Sequence, residues 1–228
     1  TAGGLALARD RGLLDGEGPI LVLNGDGVLD LELAPLAARH AASGDLVTLA
    51  LRPHPDSQRW SRVLLAADGR VEAMLAAGPA APEENAMLYP GVMVVAREAL
   101  ARLPAGRGEI APLLWGPALA AGRLGGVVVP GRWREVGTPA DYRELVAERL
   151  GDAAWVHPSA SVAPSAALRG SLVGAGSRVA EEAVVHGSVV AAGAQVGAGA
   201  EVTSSVLLGR VAAAPGEKLA GVLRVQGP

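Results

Sequence analysis

The sequence predicts an α/β sheet domain followed by a stacked array of short strands, and three observations carry that prediction. Short apolar runs alternate with helical patterns over the first 150 residues. Aliphatic residues then recur in a six, six, five rhythm that repeats every 17 residues. Aromatics make up only 3% of the chain with no Phe, so Val, Leu and Ala must fill the core of both parts.

Residues 19–23 form an apolar run, the pattern of a strand buried on both faces, and it stops at Asn24-Gly25-Asp26. Residues 33–43 read as a helix with Leu33, Leu36, Ala37 and His40 on one face, and residues 47–51 as the next strand. The runs 63–65 and 71–73 flank Asp68-Gly69, a hairpin signal. Residues 77–86 are a loop rich in Pro, Ala and Glu. Residues 91–95 predict another strand, 97–103 and 110–121 helices, 127–129 a strand and 139–149 a last helix. Strands alternating with helices predict a mainly parallel sheet, with ligands beyond the C-terminal ends of its strands. The expected division is an α/β domain over residues 1–150 and the repeat array over 151–228.

In the array, Val156, Val162 and Leu168 are followed by Val173, Val179 and Val185, then Val190, Val196, Val202 and Leu207. Ser171, Ser188 and Ser205 keep the same 17-residue spacing and fix the register. A helix would space its apolar residues three and four apart, whereas this rhythm suits short strands with one inward aliphatic each and Gly at the corners. One coil cannot bury its own face, so stacking must stabilise the set. Residues 155–212 resemble the left-handed parallel β-helix of hexapeptide-repeat proteins, used here for packing or oligomerisation. Many such proteins are acyltransferases with a histidine base. His157 and His186 lack the extended loop arm that goes with that role and read as exposed strand or corner residues.

Net charge is -3 and the isoelectric point about 5.8, which argues against a nucleic-acid surface. The absence of cysteine excludes disulfides, thiolate catalysis and thiolate-bound zinc, and fits a cytoplasmic protein. No apolar run reaches the length of a membrane span, and the first residues lack a signal-peptide layout, so no membrane association is expected.

Asp26 and Glu135 each sit just past a predicted strand, and such oxygen ligands suit a hard cation such as Mg²⁺ that also grips phosphates. Composition alone fits Asp26 equally well as a turn residue. A calcium loop starting at Asn24 is ruled out, because Val28 stands where a ligand is needed and no Glu closes the loop.

Residues 20–26 (Ile-Leu-Val-Leu-Asn-Gly-Asp), followed by Asp30 and a helix, resemble the second conserved block of sugar-1-phosphate nucleotidyltransferases, the mannose-1-phosphate guanylyltransferase-like group included. Thr1-Ala2-Gly3-Gly4 is similar to their Gly-Thr-Ala-Gly segment, and Tyr89-Pro90-Gly91-Val92 to the strand lining their sugar pocket. Trp133-Arg134-Glu135-Val136-Gly137-Thr138-Pro139, with Tyr142, is similar to their Trp-x-Asp-x-Gly-Thr-Pro block, and a β-helix after that block is also their arrangement. The resemblance implies a Rossmann-like (GT-A-like) sheet, with Gly3 and Gly4 facing a nucleotide base and Asn24 and Gly91 binding substrate. It also implies Mg²⁺ on Asp26 and Glu135, and the conversion of a nucleoside triphosphate and a sugar 1-phosphate, GDP-mannose type favoured.

Three departures bear on activity. The family's Gly-x-Gly-Thr-Arg loop, which cradles the triphosphate, has no counterpart in residues 1–228, and its metal Asp is replaced by Glu135. Lys218 is the only lysine, so the family's Glu-Lys-Pro segment is also unmatched. The expectation is therefore a sheet incomplete at its N-terminus and a chain inactive alone, with the missing segment supplied upstream, by a homo-oligomer or by a partner chain. The competing reading is a non-catalytic, nucleotide-sugar-binding regulator or scaffold.

Overall fold

The computed structural model describes residues 1–53, 59–78 and 85–226. Most of the expected loop at 77–86 lies outside them. The chain divides into two compact units, Thr1–Glu135 and Val136–Pro228, so the helix expected to end the α/β domain belongs to the second unit.

The first unit opens with a helix, α1 (Ala2–Asp10), capped by the Thr1 hydroxyl, which accepts the Gly4 N–H at 3.2 Å. There follow β1 (Ile20–Leu23), β2 (Gly27–Leu31), α2 (Ala34–Ser43), β3 (Val47–Pro53), β4 (Arg62–Leu65) and β5 (Val71–Leu75). Then come β6 (Ala86–Leu88), β7 (Val92–Val95), α3 (Arg97–Ala101), a π-helical turn (Ala111–Trp115) running into α4 (Gly116–Ala120), β8 (Leu124–Val128) and β9 (Gly131–Glu135). The hairpin expected around Asp68-Gly69 is β4–β5.

The sheet order is β1-β7-β3-β6-β4-β5, with β8 beside β3. The expected mainly parallel sheet is corrected here: among the described residues β3–β8 is its only parallel pair, and the sheet is mostly antiparallel. The reason is local. β1, β3 and β8 do run the same way, as alternation with helices predicts, but β7 enters between β1 and β3 in the opposite sense. The β4–β5–β6 meander then extends the antiparallel part. Periodicity reports burial on both faces and is blind to strand direction.

Residues 47–51 of β3 and all of β7 are buried because both faces of the sheet are covered. On one side Val47, Leu49, Met93 and Val95 pack with Ala2 and Ala6 of α1, Ala99 and Leu100 of α3, and Leu114 and Ala118. On the other, Ala50, Val92 and Val94 pack against Leu36 of α2 and Val129. A polar seam fastens α2 to β3: the His40 ring meets the Thr48 hydroxyl at 2.8 Å, and Thr48 donates to the buried Asp45 carboxylate at 3.1 Å. β1 ends the strand order, with β7 its sole neighbour among the described residues, and leaves Leu21 and Leu23 exposed.

The second unit is a parallel β-solenoid preceded by a helix, α5 (Pro139–Leu150). Its three ladders hold five, four and four strands, each pairing with the strand 17 residues on. Val162, Val179 and Val196 stack inward on one ladder, Leu168, Val185 and Val202 on another, and Val173, Val190 and Leu207 on the third, in one core. The spaced serines prove structural. Buried Ser171 Oγ donates to the Arg169 carbonyl and accepts the Ser188 N–H of the next coil at 3.1 Å; Ser188 and Ser205 repeat the pattern one coil further each time. Val146 and Leu150 of α5 cover Leu172, Val189 and Val206 on the outside of one ladder.

Two outcomes follow. Val179 is 1% exposed between Val162 and Val196, so Val179→Asp buries an unpaired charge and should lower the solenoid's stability by about 3 kcal/mol or more. A thermal melt of the variant that overlays the parent would remove this account of the core. In the sheet unit, burial holds His40 below the 6.5 of a free imidazole, against an opposing pull from Asp45. The unfolded chain then takes up a proton at a pH where the folded chain does not. Stability is therefore full above about pH 6.5 and declines as pH falls, until the folded ring itself protonates. Urea midpoints taken from about pH 8 to about pH 5 should show the decline, and His40→Gln should flatten it.

Candidate functional site

β1 delivers Asn24 to the point where β7 begins. The Asn24 N–H donates to the Gly91 carbonyl at 2.8 Å, continuing the antiparallel ladder by one step. Gly91 has φ +91°, and a β-carbon there would lie 2.8 Å from that of Asn24, closer than real side chains approach. Glycine at 91 is thus demanded twice, by backbone and by space. These two candidate substrate-binding residues are neighbours.

From Asn24 the chain turns through Gly25 and Asp26 into β2, which pairs antiparallel with β9, a two-stranded ribbon that sequence patterning missed. Gly27 lies opposite Glu135, so Asp26 is one residue from the ladder partner of Glu135. The Glu135 carboxylate is partly exposed, accepts from Trp60 Nε1 at 3.3 Å, and lies 3.5 Å from the Arg59 guanidinium. Arg59 sits 4.4 Å over the Trp60 ring, and Trp60 meets Trp133 edge to face at 5.6 Å. Arg59 and Trp60 stand some 75 residues before Glu135, and no local pattern ties them to it. The only available signal was scarcity, since the chain has four Trp in all and two of them meet here.

Among the described residues no group of three or more His, Cys, Asp or Glu gathers as a metal cage. The register brings the backbone of Asp26 next to the ladder partner of Glu135, and a Mg²⁺ ion that keeps waters and takes ligands from phosphates needs no more than one or two protein carboxylates.

The remaining candidates lie elsewhere in the fold. Gly3 and Gly4 are in the first turn of α1, a helix that sequence patterning did not assign. A β-carbon on Gly3 would come within 2.4 Å of the Gly106 carbonyl, so that glycine lets α1 approach the 106–108 segment. Gly3 and Gly4 also line a cleft of about 850 Å³ with Leu7, Arg107 and Glu109. Tyr89, from the motif at 89–92, packs edge to face on Trp115 at 4.9 Å, and burial pushes its hydroxyl pKa up. Thr138 and Pro139 open α5: the Thr138 hydroxyl accepts the Asp141 N–H at 3.1 Å, and the Asp141 carboxylate accepts the Thr138 N–H at 2.9 Å. In the solenoid, His157 bonds Ser159 at 2.8 Å, and His186 is an exposed residue of a ladder.

No protein-family model matches the chain. It is 30% identical over 150 residues to a probable mannose-1-phosphate guanylyltransferase 2 of Arabidopsis thaliana, an alignment covering 62% of this chain and 39% of that protein. It is 29% identical over 150 residues to mannose-1-phosphate guanylyltransferase 1 of the same plant, with the same coverage. Over 144 residues it is 31% identical to a probable mannose-1-phosphate guanylyltransferase 3 of Oryza sativa subsp. japonica. The chain spans 39% of the length of these curated relatives.

The Asn24–Gly91 contact carries its own test. Gly91→Ala forces an alanine into left-handed backbone and against Asn24, and should cost about 1–3 kcal/mol of stability in a urea melt. An unchanged midpoint would show that the two segments separate without penalty.

Proposed function

We propose that this chain is part of a sugar-1-phosphate nucleotidyltransferase of the GDP-mannose-forming type, which joins a nucleoside triphosphate and a sugar 1-phosphate into a nucleotide sugar and pyrophosphate. One observation carries the reading: the pairing of Gly27 with Glu135, which holds Asp26 and Glu135 at adjoining positions, one short turn from Asn24 and Gly91. The similarity to mannose-1-phosphate guanylyltransferases supports the same reading and favours mannose with GTP.

In this reaction a phosphate oxygen of the sugar phosphate attacks the α-phosphorus in line, forming the new P–O bond as the bond to pyrophosphate breaks. Catalysis is mostly positioning and charge neutralisation. Bound Mg²⁺ would supply positive charge that offsets the charge of the phosphates. Asp26 and Glu135 are its assigned ligands, and Asn24 with the backbone at Gly91 orients the sugar. Gly3 and Gly4 are assigned to the nucleotide side. The Arg59–Glu135 contact, at 3.5 Å with Arg59 more than half exposed, is a weak one that a metal ion or phosphate displaces at little cost.

Residues 1–228 contain no Gly-x-Gly-Thr-Arg loop, so this chain by itself binds product without turning over substrate. The free edge of β1 is where a further strand, from the same or another chain, would pair. No helix among the described residues is long and apolar enough to cross a membrane, and the cytoplasm is the assigned compartment.

A second reading, a nucleotide-sugar-binding regulator, is favoured by one feature: the Glu135 carboxylate is engaged by Arg59 and Trp60 of the chain itself. Tryptophan fluorescence tests both, because Trp60 and Trp133 flank Glu135. GDP-mannose should quench the emission only when Mg²⁺ is present. Asp26→Asn and Glu135→Gln should each weaken binding by about tenfold or more, roughly 1.4 kcal/mol. Saturable quenching that ignores chelator and both substitutions would favour the regulator. No binding at all would overturn both readings.

A further inference from the structure

The solenoid's repeat breaks at two inward positions of one coil, and the two replacements meet. Arg224 pairs in register with Leu207, so it occupies the place held by Val173, Val190 and Leu207 in the preceding coils. Those three side chains are fully buried in the solenoid core. Seven residues earlier, Glu217 stands 17 positions after Ala200 and 34 after Ala183, both also fully buried in that core. The backbone confirms the equivalence, since the Val184 N–H donates to Ala200 and the Glu201 N–H to Glu217. An apolar ladder and an alanine ladder thus end in a cation and an anion in the same coil.

The pair is closed on every side. The Arg224 guanidinium meets the Glu217 carboxylate through two parallel bonds of 2.6 and 2.9 Å, the bidentate form that gains most from matched geometry. Its Nη1 also donates to the Ala212 carbonyl at 2.6 Å, and Glu217 Oε2 accepts the Ala214 N–H at 2.7 Å. Arg224 lies on one ladder, Ala212 on the second, and Glu217 just before the strand Lys218–Ala220 of the third, so the network spans the end of the coil. Both side chains are about 30% exposed.

We propose that Arg224 and Glu217 form a stop: a polar lid that keeps this face of the coil from stacking on a second copy of the chain. Every earlier coil offers the next one an apolar centre and three strand edges. This coil offers the same edges around an ion pair, and a partner docking there would have to bury two charges without adding a bond to either. Edges alone invite edge-to-edge pairing, and the charged centre opposes it. The pair is poised against acid, since the Arg224 bond holds Glu217 down to about 2.

The test restores the repeat in the full chain. Arg224→Leu with Glu217→Ala recreates the residues one coil back, and the double variant should self-associate with rising concentration in sedimentation velocity beyond any association of the parent. Exchanging the charges, Arg224→Glu with Glu217→Arg, keeps a pair and should leave the parent's sedimentation unchanged. A folded double variant that sediments like the parent would overturn the proposal. Unfolding of the double variant by circular dichroism would overturn it equally, because the restored apolar end is then no docking face. So would association of the charge-exchanged chain to the same extent as the double variant.

Discussion

The sheet unit depends on β7 lying antiparallel between β1 and β3. That single insertion supplies both edges of β7 with hydrogen-bonding partners, so four consecutive aliphatic residues can be buried without leaving backbone groups unsatisfied. It also sets where two of the candidate residues meet. Because β1 and β7 run in opposite directions, the end of one meets the start of the other, and Asn24 comes to rest against Gly91. In a fully parallel sheet the start of one strand would be a sheet's length from the end of its neighbour.

The β2–β9 ribbon makes the second juxtaposition, and its electrostatics are economical. Glu135 is held by one guanidinium and one indole N–H, and Arg59 in turn is held by the ring face of Trp60. Each contact is exposed or half-exposed and individually weak. The carboxylate is therefore positioned without being locked, as a group must be if it is to exchange a side-chain partner for a phosphate-bound cation.

The sequence made the solenoid legible in detail, because inward residues, corner glycines and serines all obey one 17-residue period. Val162, Val179 and Val196 stack as that period requires. The strands at 20–23, 47–51 and 92–95 were readable from their apolar runs, and the helix at 34–43 from its Leu36 and His40 face. Strand direction was not readable, since burial on both faces gives the same run in a parallel or a mixed sheet. The ribbon was missed because Gly27–Leu31 and Gly131–Glu135 mix Gly, Asp and Arg with aliphatics and show no clean alternation. The helix at Ala2–Asp10 was not assigned from sequence; Gly3 within it serves the close approach to Gly106, at a cost in helix propensity. The candidates Asn24 and Asp26 lie together through chain proximity, which the sequence shows. The contacts of Arg59 and Trp60 with Glu135 arise only by folding, and no local pattern marks them.

Arginine does in this chain what lysine cannot. With one lysine in 228 residues, long-range polar ties fall to guanidinium groups, and most of them end on backbone carbonyls. Arg9 reaches Leu100 and Leu103, Arg97 reaches Gly18 and Leu14, Arg123 reaches Gly44, and Arg39 reaches Asp68. A planar fork with five donors can bind a carbonyl and a carboxylate at once, as Arg39 does with Asp45 and Arg224 with Glu217. Such arginines fasten loops to the core and are not available to a ligand. Arg59 is the more exposed partner of its pair with Glu135, and it borders the carboxylates assigned to the metal. Structural staples are recognised by what their donors meet, which composition and spacing do not record.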